Sequence, residues 1–160
     1  MAEFIQKHKL FSFYSGLMII IVLIAIFAPW LAPGDAFTSN ISQALQAPSS
    51  QHWFGTDDLG RDIFSRIIYG CRVSLSVGII SQIIATVIGY TMGVCAGYFG
   101  GKVDSVISFL IQVFSSFPFL LFAMAIMFVL GPGLINLYLA LGLLGWASTA
   151  RLIRGDVMRL

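Results

Sequence analysis

The chain has 160 residues, 58% of them hydrophobic and only 10% charged, with a mean hydropathy of +0.93 and a net charge of +2. A soluble domain carries about 25% charged residues, so the composition is that of a membrane protein. The small net charge gives no sign of a nucleic-acid partner. The two cysteines, Cys71 and Cys95, lack metal-ligand spacing and read as inert thiols.

Uncharged runs mark the spans, because a bilayer core of about 30 Å takes roughly 20 helical residues. Leu10 to Gly34, Val73 to Gly101 and Ser105 to Ala150 are free of charge, and Gly131-Pro132-Gly133 splits the last of these. Four helices are expected: Phe11–Leu31, Ser74–Tyr98, Val106–Leu130 and Leu134–Ile153. The first follows Lys7 and Lys9, but its apolar run is too long for the core of a signal peptide, and Ala28-Pro29-Trp30 is a poor cleavage site. It reads as a retained helix.

Basic residues favour the cytoplasmic side. With the N-terminus inside, Lys7, Lys9, Lys102, Arg151, Arg154 and Arg159 fall inside, and Arg61, Arg66 and Arg72 fall outside. Trp30 and Tyr69 then lie near the outer interface, and Tyr14, Tyr98 and Trp146 near the inner one.

The most charged passage, GTDDLGRDIFSR from Gly55, precedes the second span. Thr56 is suited to cap a helix there, with Asp57 and Asp58 in its first turn. Leu59, Ile63 and Ile67 form an apolar stripe, and Asp57–Arg61 and Asp62–Arg66 are i,i+4 pairs. Gly70 is placed to end this helix. The expected element is an amphipathic helix along the outer membrane face. By residue chemistry alone it is equally an elbow leading into the span, or a gate or docking surface whose candidates are Thr56, Asp57, Arg61, Asp62 and Arg66. Neither His52 nor His8 has a partner at ligand spacing, and no metal site is expected.

The second span carries Ser81, Ala85, Gly89, Gly93 and Gly97, small residues at every fourth position, which permit close approach of another helix. This is a packing seam, with sliding during transport as the sharper reading. In the third span, Ser115-Ser116-Phe117-Pro118 predicts a kink at Pro118, whose freed carbonyl the serines can satisfy. Gln82 and Gln112 sit inside spans, as glue between helices or as pathway lining. Apart from Arg151 at the end of the fourth, no span contains Asp, Glu, Lys, Arg or His, and there is no phosphate-binding loop, HExxH or nucleophile–base pair. The chain is therefore expected to be no enzyme, and any transport must be driven by another subunit.

HWFGTDDLGRDIFSRIIYGCRVSLSVG resembles the segment before the second helix in the C-type permeases of dipeptide, oligopeptide and nickel ABC importers. Gly55, Thr56, Asp57, Leu59, Gly60, Arg61, Asp62, Ser65, Arg66, Gly70, Arg72, Ser74 and Leu75 fit that family's pattern. AGYFGGKVD, FPFLLFAMAI and LGPGLINLYLALGLLGWASTARLIRGDVMRL are similar to its later segments, so the resemblance runs from about Leu10 to Leu160.

The resemblance implies an all-α, polytopic membrane helix bundle with an external amphipathic helix before the second span. Its parts would be a cytoplasmic tail (1–9), a first transmembrane helix (10–32), an extracytoplasmic loop (33–73) and the start of the permease core (74–160). It implies an inner-membrane subunit of a bacterial or archaeal importer. The implied partners are a B-type permease, two cytoplasmic ATPase subunits and an extracytoplasmic substrate-binding protein. This chain would bind no cofactor, with ATP and Mg on the ATPases. The substrate is left open among dipeptides, oligopeptides, glutathione-like molecules and nickel. The sequence stops before the family's EAA-type coupling loop, so the expectation includes a truncated or split permease. The competing reading is a non-transport membrane anchor or an inactive remnant.

Overall fold

The computed structural model describes residues 9–159, and among these the secondary structure is helical. The helices are α1 (Lys9–Ile26), α2 (Ala28–Leu31), α3 (Ile63–Phe99), α4 (Gly101–Ser116), α5 (Phe119–Leu130) and α6 (Leu134–Val157), with a 3-10 turn at Ile41–Gln43. Thr56 and Asp62 form an isolated antiparallel bridge. The expectations for Lys7, His8 and most of the N-terminal tail lie outside the described residues.

The chain forms two compact regions, one ending at Ser76 and the other beginning at Val77. In the first, α1 is exposed along most of its apolar length, as a lipid-facing helix is. Its apolar part, Leu10–Ile26, is about 26 Å long. The single helix expected over Phe11–Leu31 is in fact two. Pro29 stands in the first turn of α2, where its missing N–H costs nothing, and Phe27 leaves helical geometry ahead of it.

By itself, α3 is long and apolar enough to cross a membrane. Its 37 residues extend about 55 Å, well beyond a bilayer core of about 30 Å. The amphipathic stretch ahead of the span is therefore not a separate helix but the first turns of α3, and it begins at Ile63 rather than at Thr56. Gly70 does not end it. Extending an existing helix is cheaper than nucleating a new one, and the residues that follow continue the apolar run.

The third expected span is not one kinked helix. α4 and α5 together have the length and apolarity of a span, but they meet at 90° across Phe117 and Pro118. Phe117 is extended, as a residue before proline prefers. Ser116 donates to the carbonyl of Gln112 at 2.7 Å, covering one of the acceptors at this helix end. The α5–α6 turn is closed by Asn136, whose amide donates to the carbonyls of Leu130 (2.9 Å) and Gly131 (3.1 Å).

The core of the second region gathers Ala96, Ile107, Ile111, Trp146, Ala147 and Ala150, with Phe114 packed against it. Trp146 is buried, edge-on to Phe114 at 5.4 Å between ring centres.

Candidate functional site

The charged passage builds a closed loop. Asp57 is its centre: Oδ1 accepts from the amides of Leu59 (3.0 Å) and Arg61 (2.9 Å), and Oδ2 from the Arg61 side chain at 2.8–2.9 Å. The Asp57–Arg61 pair thus forms outside any helix. Local hydrogen bonds of this kind compete with helix, which is why none starts at Thr56.

Both glycines of the motif are required by geometry. Gly55 and Gly60 each have φ of +74°. A Cβ on Gly60 would stand 1.8 Å from the carbonyl oxygen of Asn40, and one on Gly55 would stand 2.3 Å from that of Gln46. The loop is laced to residues 40–46 by backbone bonds Asn40 N–Leu59 O (2.9 Å), Leu45 N–Asp57 O (3.0 Å) and Thr56 N–Gln46 O (3.1 Å). Thr56 is not a helix cap. Its hydroxyl accepts from the Gln46 amide at 2.8 Å and donates to the carbonyl of Gln43, completing the same seam.

Asp62 is the cap of α3. Its Oδ2 accepts from the amide of Ser65 at 2.7 Å, three residues into the helix, and the Ser65 hydroxyl accepts from the amide of Gly34 at 3.0 Å. Asp62 and Ser65 are 2% and 0% exposed. No Asp62–Arg66 pair forms. Asp62 Oδ1 instead meets His52 Nδ1 at 3.0 Å, a partner that the chain spacing of His52 concealed. Arg66 reaches Asp57 and the carbonyl of Ala36, each at 3.5 Å.

Hydrogen bonding controls the titration of these carboxylates. The Arg61 amide, with the Arg61 side chain and Leu59 amide, holds Asp57 at about 2, against the opposing effect of burial. Asp35 is likewise lowered to about 2, chiefly by Thr38 and by the amide of Phe37. Burial alone would raise Asp62, but Ser65 and His52 override it and the net shift is downward.

In the second region, the small-residue stripe of α3 lies against α6. A Cβ on Gly89 would stand 2.7 Å from the carbonyl oxygen of Trp146. For Gly93 the distance to the Ala150 oxygen is 2.8 Å, and for Gly97 the distance to Val157 Cβ is 2.7 Å. α6 reciprocates: Gly142 fits over Ile84 at 2.7 Å, and Gly145 over Ala85 at 3.0 Å. The contact is knit from both helices, and the glycines of α6 were not read from the sequence. Ser81 is buried at the same seam.

Gln82 and Gln112 do not bridge helices among the described residues. Both are exposed, and Gln82 donates to Thr86 on its own helix at 3.2 Å. The polar links between helices come from other residues. Arg154, near the end of α6, forms a two-point ion pair with Asp104 in the first turn of α4, one arm at 2.7 Å. Arg151 donates to Ser115 at 2.7 Å. Among the described residues, no three His, Cys, Asp or Glu side chains are grouped to hold a metal ion.

Residues 73–160, which contain α3 from Val73 onward and the whole of its seam with α6, match the family described as binding-protein-dependent transport system inner membrane component. The chain belongs to that family. Residues 5–48 match the N-terminal transmembrane domain of oligopeptide transport permease C. The dipeptide transport system permease protein DppC of Alkalihalophilus pseudofirmus is 46% identical over 158 residues, 98% of this chain and 51% of that protein. The oligopeptide transport system permease protein OppC of Bacillus subtilis is 38% identical over 155 residues, 97% of this chain and 51% of that protein. The glutathione transport system permease protein GsiD of Pectobacterium atrosepticum is 38% identical over 158 residues, 98% of this chain and 52% of that protein. The chain spans about half the length of these curated relatives. As an all-α inner-membrane component it fits the class expected from its composition.

Proposed function

We propose that this chain forms part of the translocation pathway of an ATP-driven, binding-protein-dependent importer of dipeptides or oligopeptides. The observation that carries the proposal is the coincidence of the family match over 73–160 with the reciprocal glycine packing of α3 on α6. The three relatives described above are named for dipeptide, oligopeptide and glutathione transport, which favours a peptide-like cargo. Nickel, also implied by the motif, has no support from those names.

In this reading the chain is multi-pass with its N-terminus in the cytoplasm, as the basic residues indicate. A second permease completes the pathway, and an extracytoplasmic binding protein delivers substrate to the face that bears the Gly55–Asp62 loop. ATP and Mg act on separate ATPase subunits. Gln82 and Gln112 are exposed amides in uncharged runs, so they face the second permease or the pathway, where an amide finds the partner that lipid lacks. The break at Pro118 supplies a flexing point beside it.

Co-purification from the native membrane tests this. The expected result is recovery of a homologous permease and an ATPase, with peptide uptake that depends on ATP once the complex is in proteoliposomes. Recovery of neither partner would sink the importer reading and leave the membrane anchor.

A further inference from the structure

An open groove of about 540 Å³ runs along one face of α3 in the first compact region. Ile63, Ile67, Gly70 and Val73 form its floor, spaced three to four residues apart as one helical face requires. Phe37, packed edge-on to Tyr69 at 4.9 Å between ring centres, forms its wall. We infer that this groove holds one anionic phospholipid, with its phosphate on Arg66 and an acyl chain lying along Ile67, Gly70 and Val73.

Charge complementarity selects the occupant. Asp57 is already matched by Arg61 at 2.8 Å, so the 3.5 Å contact from Arg66 is a second, loose one. The Arg66 side chain is 40% exposed and lines the groove. A guanidinium in this condition retains charge and donors for a phosphate, which it binds in two-point fashion.

Position along the helix agrees. Val73, at the far end of the groove, begins the uncharged run that enters the membrane. Arg66 lies about 10 Å from it along the axis, the depth of a headgroup layer plus the reach of an arginine side chain. Ile67, Gly70 and Val73 thus lie on the membrane side of Arg66, in the order of phosphate and then acyl chain, while Ile63 continues the groove on the other side of the cation. Gly70 keeps the floor open, since nothing lies within 4 Å of a Cβ built there. The same clearance means that a larger side chain at Gly70 fills the groove without disturbing the helix. The inference requires the membrane placement of α3 and does not require transport, so the two proposals fail separately.

The test uses the chain purified with its partners and exchanged into nanodiscs of equal parts phosphatidylglycerol and phosphatidylcholine. Lipid that survives delipidation is counted by native mass spectrometry. Phosphatidylglycerol should be retained in preference to phosphatidylcholine. Arg66→Gln should lower that retention about fivefold, the effect of one interfacial arginine, and Arg66→Lys should keep most of it. Gly70→Leu should lower retention with Arg66 intact, which separates occupancy of the groove from disturbance of the Asp57 network. Equal retention of the two lipids, or retention unchanged in both Arg66→Gln and Gly70→Leu, overturns the inference. So does a photo-reactive residue at position 70 that captures a protein helix in place of lipid. Loss of the partners while lipid preference persists would count against the importer reading alone.

Discussion

Gly93 of α3 faces Ala150 of α6 so closely that a Cβ on the glycine would stand 2.8 Å from the alanine carbonyl oxygen, and as close to Ile153. Backbone cannot retreat as a flexible side chain can. Gly93→Leu is therefore expected to hold the two helices apart, at a cost of about 3 kcal/mol or more from overpacking. Gly70→Leu, where the space is open, is the control. Thermal unfolding of the two variants in detergent should differ sharply. Equal stability would show that the seam is not tightly packed.

Gly60→Ala should be more damaging to the loop than an ordinary glycine substitution. The new side chain would meet a left-handed φ of +74° and the Asn40 carbonyl oxygen together. The left-handed strain alone is about 1–2 kcal/mol. Hydrogen exchange of residues 40–62 should rise selectively, while α6 keeps its protection. A uniform rise across the chain would mean that the loop and the second region unfold together.

The Asp57 network should fail in acid. The carboxyl stands at about 2 in the folded loop, below the ordinary value of 3.8. A depressed carboxyl contributes stability that is fully present above its unfolded value and is lost as pH falls through its folded one. Asp35 acts in the same window, and Asp62 in the same direction. Protection of the Leu59 and Arg61 amides should be level from neutral pH down to about 5, then decline toward pH 2. In Asp57→Asn the decline should be shallower and the starting protection lower. A midpoint near neutrality would contradict the assigned network.

Asp62→Ala removes the cap of α3 and leaves His52 and Ser65 without their acceptor. A lost cap costs about 1 kcal/mol, and abandoned partners add to it. Thr56→Ala should spare the helix start and loosen residues 43–46 instead. Exchange rates of the Ser65 and Arg66 amides distinguish the two, and a larger effect there from Thr56→Ala would restore the capping role read from the sequence.

Arg154→Ala and Asp104→Ala should be non-additive. Their side chains, 29% and 20% exposed, meet in a two-point pair between α6 and α4. A coupling distinct from zero is expected from a double-mutant cycle in unfolding free energy. Strict additivity would mean that the pair breaks in the membrane.

What could be read in advance follows from how far each cause acts along the chain. The apolar runs, the Gly131-Pro132-Gly133 turn and the stripe from Ala85 to Gly97 are local patterns, and each appears as an element or a face. The partner of that stripe was legible only in part: Gly142 and Gly145 are spaced three apart, which is a weaker pattern than every fourth residue. The charged loop misled because i,i+4 spacing is common to helices and to tight turns. Asp57 and Arg61 pair as their spacing suggests, yet in a turn whose glycines exclude helix. The available signal was Asp62, a good cap standing directly before an unbroken helical run. His52–Asp62 and Asp104–Arg154 are separated by 10 and 50 residues, and no periodicity announces such meetings.

The right-angled break between α4 and α5 falls in the middle of a stretch, Ser105 to Ala150, that has no charged side chain. Every helix end strands peptide groups that have no partner in the next turn. Ser116 covers the carbonyl of Gln112, but one hydroxyl cannot quench a whole helix terminus. Hydrocarbon offers such groups nothing, and irregular backbone at membrane depth persists only against protein or water. The corner at Pro118 is thus hydrophilic despite the phenylalanines on either side of it. Much of that polarity belongs to the main chain, invisible to any scale that scores side chains, and the Arg151 guanidinium bound to Ser115 adds to it, so moisture or a neighbouring polypeptide is expected to reach into this otherwise oily segment.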